Sequence, residues 1–372
     1  MKKLFAILLC VAMVFAIAAC GGNNTQGTTT TGTTAGTTTT GTTTPVVTEK
    51  DYRLGMGIVV SMASSKTGTA QVDATVATVV LDAEGKIVAC RIDVAQNKMT
   101  ITDGEVNPEA VFETKMELGD RYGMASSPYS SDNNNDGVIL EWDAQTKIFE
   151  NYVVGKTAAE VQAIELQEVN AHNIAVDEAL LTAGCTIQIT DYIDAIVKAC
   201  NDEQGVSFKT ASEFTLGVAA KTTAADSIAA TADANGTVKM YSDFAASVVA
   251  DGKIIASLND AIQPNITINA DGEIVGTSFK ATKRELKEEY GMAGNPYSSD
   301  NNGDQIILEW YIQSEAFSTY VVGMTAAEVA GMKTQFVSNH YISADEALLS
   351  AGCTIQITGI CAVVAQSVTN AR

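Results

Sequence analysis

From Gln71 to Leu81 (QVDATVATVVL) apolar and polar positions alternate along a β-branched run, a period of two that predicts a strand. Asp82-Ala83-Glu84-Gly85 then punctuates the chain, and Lys86 to Val94 (KIVACRIDV) resumes the alternation. The pair predicts a hairpin with glycine in its turn. Past Thr114 the period lengthens: Ile139, Trp142, Phe149 and Val153 fall near one face of a helix, and Gly155 suits the position just beyond its end. Thr157-Ala158-Ala159-Glu160 and Thr325-Ala326-Ala327-Glu328 are capping boxes, so each marks a helix start. Thr186 to Ile189 reads as a short strand. Thr190 then caps a helix whose apolar side is Ile193, Ile196 and Val197. The expected fold class is α+β, an antiparallel sheet with packed helices.

That pattern occurs twice. Residues 114–190 align with 282–358 at a constant offset of 168 without a gap, and 48 of the 77 positions are identical. Tyr122-Gly123-Met124-Ala125 matches Tyr290-Gly291-Met292-Ala293, and PYSSDNN from Pro128 recurs from Pro296. A period this long means two whole tandem domains rather than a solenoid. They are expected over 50–204 and 205–372, dividing in the polar stretch Asn201 to Gly205, each with its own hairpin and helices and folding independently.

The first residues have a different character. Lys2 and Lys3 precede an uncharged apolar run from Leu4 to Ala16, and Ile17-Ala18-Ala19-Cys20 sets small residues before a cysteine. This order is that of a secretory signal, and the run is short for a membrane span. Its ending resembles the lipobox of bacterial lipoproteins. The resemblance implies a leader over 1–19, cleavage before Cys20, and a diacylglycerol on that thiol. Two acyl chains are enough for stable anchoring. Residues 20–49 continue as a Thr/Gly-rich segment with little apolar content, expected to be a disordered tether reaching roughly 30 Å. The expected location is extracytoplasmic, on the cell surface, with the membrane as partner through lipid.

Charge narrows the function classes. The formal net charge is −21, and a leader carrying two lysines and no acid takes it to −23 on removal. Nucleic-acid binding, which needs a basic footprint, is excluded as an expectation. Of seven cysteines, Cys10 leaves with the leader and Cys20 goes to lipid. Cys90, Cys185, Cys200, Cys353 and Cys361 are odd in number, contain no C-x-x-C, and read as buried free thiols.

The end of each copy carries a second resemblance. Ala183 to Thr190 (AGCTIQIT), followed by Asp191 to Ala199 (DYIDAIVKA), is similar to the close of the bacterial FMN-binding domain found in flavin subunits of sodium-pumping quinone reductases and Rnf complexes. The resemblance implies FMN as cofactor, with Gly184 and Gly352 making a tight turn that exposes Thr186 and Thr354 beside a phosphate. In that family the threonine can carry FMN through a phosphoester. Here Leu180 and Leu348 stand where the attachment motif has aspartate, and Cys185 and Cys353 where alanine is usual. The sequence therefore points to non-covalent binding. Read without the family, the same segment is a strand-to-helix junction in which glycine permits a tight backbone.

Asp132, Asn134 and Asp136, then Gly137, with Asp143 at the twelfth place, imitate the start of a calcium loop. The same residues make ordinary Asx turns. His172 and His340 hold equivalent loop positions. Glu141 and Glu309 precede Trp142 and Trp310, with the tryptophans expected in the core and the glutamates solvated. No G-x-S-x-G elbow, G-x-G-x-x-G or G-x-x-x-x-G-K-[ST] loop is present, so neither a hydrolase nor a nucleotide-phosphate loop is expected. Two readings remain: a surface flavin-binding or electron-transfer lipoprotein, and a non-enzymatic lipoprotein that binds a surface ligand or wall component.

Overall fold

The first copy runs β1 (Lys50–Ser61), β2 (Thr69–Leu81), β3 (Ile87–Thr100), α1 (Lys115–Leu118), α2 (Trp142–Tyr152), α3 (Ala158–Gln162), β4 (Leu166–Val169), β5 (His172–Ala175), α4 (Glu178–Ala183), α5 (Thr190–Cys200) and β6 (Val206–Thr210) in this computed structural model. The second runs β7 (Thr215–Thr223), β8 (Gly236–Lys239), β9 (Tyr241–Ala250), β10 (Lys253–Ile262), β11 (Asn265–Ile268), β12 (Ile274–Ser278), α6 (Lys283–Leu286), α7 (Trp310–Tyr320), α8 (Ala326–Ala330), β13 (Thr334–Val337), β14 (His340–Ser343), α9 (Glu346–Ser350) and α10 (Thr358–Thr369). The structure describes residues 48–128, 130–295 and 298–372. The expected leader, Cys20 and the Thr/Gly segment through residue 47 lie outside the described residues. Among the described residues no helix is long and apolar enough to cross a membrane.

The predicted hairpin is β2–β3, antiparallel, within a sheet of order β3-β2-β1-β6. Its counterpart has the order β10-β9-β7. There the long strands of the first copy are broken in two. The second copy has Pro264 where Asn97 continues β3; proline has no N–H to give the ladder, and β10 and β11 separate around it. Strand β11 then pairs with β8 and β12 in a small sheet of its own.

Strand alternation serves two cores rather than one core and solvent. Leu54, Met56, Ile58, Val72, Val76 and Val80 point to a central cluster that also takes in Leu216, Val218, Phe244, Ala246, Val248 and Leu258 from the other copy. The intervening Ala77, Val79 and Leu81, with Ile87, Cys90 and Ile92 from β3, point outward to Trp142, Phe149, Leu180, Ile193 and Ile196. Ala219, Ala245 and Ile254 meet Trp310, Phe317, Leu348 and Ile360 in the same way. The layers are therefore helices, sheet, sheet, helices. All the described residues belong to one compact unit, and its middle core belongs to neither copy alone. This differs from the expected pair of self-contained bodies. The physical reason is that β2 and β9 are buried on both faces.

Charged contacts reinforce the join. Arg284 meets Asp202 at 3.1 Å with both side chains buried, and the Arg372 guanidinium donates to the buried Glu150 carboxylate at 2.8 Å. Glycine sets how closely helix and sheet approach. A Cβ on Gly57 would lie 2.2 Å from the Ala195 carbonyl oxygen, and one on Gly217 would lie 1.9 Å from that of Ser367. Only glycine lets α5 and α10 settle this deeply on β1 and β7.

Both capping boxes form as expected, and Thr114 with Glu117 and Thr282 with Glu285 add two more. Two local expectations are corrected. Thr186 to Ile189 is irregular, with a bend at Ile187, rather than a strand, and a backbone bond from the Ile189 N–H to the Asn173 carbonyl is its link to β5. Thr190 does not cap α5: Ile189 holds the cap position, and the Thr190 hydroxyl is buried without a partner.

Candidate functional site

Each copy opens a cleft where the end of its sheet, the short helix α1 or α6, the start of α2 or α7, and the irregular segment after α4 or α9 converge. The first measures about 480 Å³ and the second about 680 Å³. Six pairs of wall residues correspond: Lys115 and Lys283, Tyr122 and Tyr290, Trp142 and Trp310, Gln145 and Gln313, His172 and His340, Thr186 and Thr354.

A lysine at each cleft is the principal charged group. Lys115 Nζ stands 4.9 Å from the Tyr122 ring centre and 5.5 Å from that of Trp142. Lys283 Nζ is ringed more fully, 4.9 Å from Tyr241, 4.8 Å from Tyr290 and 5.2 Å from Trp310, and its residue is buried. Aromatic faces attract an ammonium without neutralising it, and in the second cleft the Asp243 carboxylate also lies near Lys283. Local structure fixes that lysine. Thr114 and Thr282 cap its helix, and a buried aspartate, Asp93 or Asp260, accepts the backbone N–H of the next residue, Met116 at 3.1 Å or Arg284 at 3.0 Å. Burial pushes the Asp93 carboxyl up to about 6, against the hydrogen bonds it accepts, and raises that of Asp260.

Glu141 and Glu309 are not solvated as expected. Each carboxylate clamps the loop before it, accepting the N–H groups of Met124 and Ala125 at 2.8 and 3.0 Å, or of Met292 and Ala293 at the same distances. The clamp holds Tyr122 and Tyr290 against the lysines. Trp142 and Trp310 are core residues as expected, yet each also forms cleft wall.

Thr186 and Thr354 line the clefts but are buried. The Thr186 N–H and hydroxyl both donate to Gln145 Oε1, at 2.8 and 3.2 Å, and its carbonyl accepts from Asn133 at 2.8 Å. Thr354 repeats this with Gln313 and Asn301. Gly184 and Gly352 do adopt the left-handed backbone, but the space beside them holds Leu140 and Leu308 rather than a cradle for phosphate. Leu180 and Leu348 are core side chains. These residues do not fit a phosphoester at the threonines. They fit a planar aromatic ring with an anionic or acidic oxygen at the lysine.

The Asx-rich loop uses its side chains on itself. Asp132 accepts the N–H groups of Asp136 and Gly137, Asp136 accepts that of Val138, and Asn134 donates to Asp136 and to the Leu181 carbonyl. Asp143 lies apart on the first turn of α2. Among the described residues no three of His, Cys, Asp or Glu gather as metal ligands. All five remaining cysteines are free and buried, and burial raises the thiols of Cys185 and Cys353 to about 12. His172 and His340 are exposed at the cleft mouths, each with Nδ1 bonded to a carbonyl two residues before it.

The cleft residues that sequence reasoning passed over are Lys115, Gln145 and their counterparts Lys283 and Gln313. Their signal was a polar side chain kept identical between the copies. No family model matches the chain, and no solved structure matches it. Among curated proteins, the chlorophenol reductase of Desulfitobacterium hafniense is 29% identical over 168 residues. That match covers 34% of this chain and 49% of the reductase, so the chain spans about half the length of the relative it matches.

Proposed function

We propose that this chain is an extracytoplasmic lipoprotein that holds a flavin-class ligand non-covalently in each of two clefts and serves electron transfer. The observation that carries this reading is the retention, in both copies, of a lysine set among aromatic rings in a cleft large enough for a tricyclic ring. A flavin bound there would supply one- and two-electron transfer. This chain's own residues bind and orient: the lysine meets an anionic oxygen, Tyr122 and Trp142 or Tyr290 and Trp310 line the ring's surroundings, and the Gln145 or Gln313 amide holds the wall. The similarity to a chlorophenol reductase supports a reductive role and favours a second reading, in which a phenolate occupies the same lysine-and-aromatic site. The Ile-Ala-Ala-Cys20 ending supports lipid anchoring.

Tryptophan fluorescence tests the reading directly, since the chain has two tryptophans and each lines one cleft. FMN should quench both at micromolar concentration, and Lys115→Ala with Lys283→Ala should weaken binding at least tenfold. Quenching by 2-chlorophenol but not FMN would select the phenolate reading. Quenching by neither at high micromolar concentration would leave the non-enzymatic surface lipoprotein as the better account.

A further inference from the structure

The two clefts are tied differently at one corner. In the first, the Asn170 side-chain amide donates to Asn133 Oδ1 at 2.9 Å, joining the Asx-rich loop to the turn of the β4–β5 hairpin. Asn133 and His172, on the two sides of that tie, both line the cleft. At the offset of 168 the second copy has Ser338 in place of Asn170, while Asn301 and His340 keep the places of Asn133 and His172. Ser338 makes no such bond. Asn301 still donates to the Thr354 carbonyl at 2.9 Å, which fixes its amide nitrogen there, and its Oδ1 is left buried without a partner. The cleft beside it is the larger, about 680 Å³ against about 480 Å³.

The oxygens of Asn134 and Asn302 lack partners in both copies alike and lie outside the cleft walls. Among the described residues, Asn301 is therefore the cleft-wall amide whose pairing changes between copies. A buried acceptor without a donor has lost its water and gained nothing in return. The backbone makes the exchange less favourable still. Asn170 and Ser338 are both left-handed, at φ 50° and 48°, a conformation that asparagine tolerates better than serine. The second copy thus gives up a residue suited to both the turn and the tie, yet keeps the acceptor.

We propose that Ser338 sets the ligand class of the second cleft: a tricyclic ring bearing a hydroxylated side chain, one of whose hydroxyls donates to Asn301 Oδ1. That hydroxyl takes the place which the Asn170 amide holds in the first copy, between the Asx-rich loop and the hairpin. In the first cleft the acceptor is already spoken for, and a ring without such a chain binds equally well. The proposal rests on the flavin reading and specifies the tail recognised. A site built to bond a hydroxyl discriminates strongly against the analogue that lacks it.

Riboflavin and lumiflavin are the probes, neutral flavins that carry a polyhydroxylated chain or a methyl group on the same ring nitrogen. With Trp142→Phe, Trp310 alone reports the second cleft; with Trp310→Phe, Trp142 alone reports the first. The second cleft should bind riboflavin roughly tenfold more tightly than lumiflavin, and the first should bind the two equally. Ser338→Asn, which the left-handed backbone accepts, should erase the second cleft's preference, and Asn170→Ser should confer it on the first. These two variants lie in different copies, so a failure of one to fold leaves the other as the test. Equal affinity for both probes at the second cleft, or a preference that survives Ser338→Asn, overturns the inference while leaving flavin binding in place. No quenching by either probe at either cleft overturns both.

Discussion

Separating the copies between Gln204 and Gly205 would expose the face on which their sheets meet. The fragment 48–204 would lay bare Leu54, Met56, Ile58, Val72, Val76, Val80, Met99 and Ile101, eight large side chains now buried in the shared core. At roughly 1.5–3 kcal/mol for each such side chain, the lost burial is on the order of 12–24 kcal/mol. A domain's whole stability is about 5–15 kcal/mol, so the fragment has no margin to stand alone as a monomer. Loss of the Arg284–Asp202 and Arg372–Glu150 pairs, whose members are divided between the fragments, acts in the same direction. Far-UV circular dichroism and sedimentation should find each fragment unfolded, molten or self-associated. An equimolar mixture should recover a cooperative melt. A monomeric 48–204 fragment that melts cooperatively within a few degrees of the intact chain would refute the reasoning.

Two further predictions concern acidity and packing. Asp93 and Asp243 are raised by burial from 3.8 to about 6 in the folded chain, so they bind protons more tightly folded than unfolded. Their contribution is complete below pH 3.8 and is lost as pH rises through about 6, on the order of 3 kcal/mol each at most. Urea midpoints should therefore fall between about pH 4 and 6, and Asp93→Asn should flatten that fall; an unchanged slope would count against the assignment. Gly217→Ala should destabilise by about 1–3 kcal/mol, because α10 must lift from β7, whereas Gly294→Ala, with open space at its Cβ, should shift the melting temperature little.

Much of the fold was legible in period and repetition. The β2–β3 hairpin was read from alternation, and the Thr157 and Thr325 helix starts from side chains that bond locally, which is why sequence alone sufficed. Strand β1 was not seen, since Gly55 and Gly57 remove side chains where alternation would show, in order to admit a helix distant in sequence. The shared core was hidden for a related reason. A strand buried on both faces has a pattern that says nothing about what covers the second face. In the candidate site, the segment around Thr186 was expected beside a phosphate, and Thr186 lines a cleft. Its role was misread because the partner that takes up the hydroxyl, Gln145, lies 41 residues earlier. The lysines carried no motif, and only the rings folded around them reveal their setting.

Two related sheets pressed together by the same face form the arrangement of a two-fold homodimer, here carried on one polypeptide. In a homodimer every substitution is written on both subunits at once, so a proline that breaks one sheet breaks its mate as well. Covalent fusion lifts that rule. Pro264 interrupts one sheet while β3 runs unbroken in the other, and Ile360 replaces the Tyr192 that bonds Trp142 in the first half. Pairing also ceases to depend on protein concentration, since each half carries its mate at the end of its own chain. A protein built this way keeps its assembled form at any dilution, and its halves can specialise without losing each other.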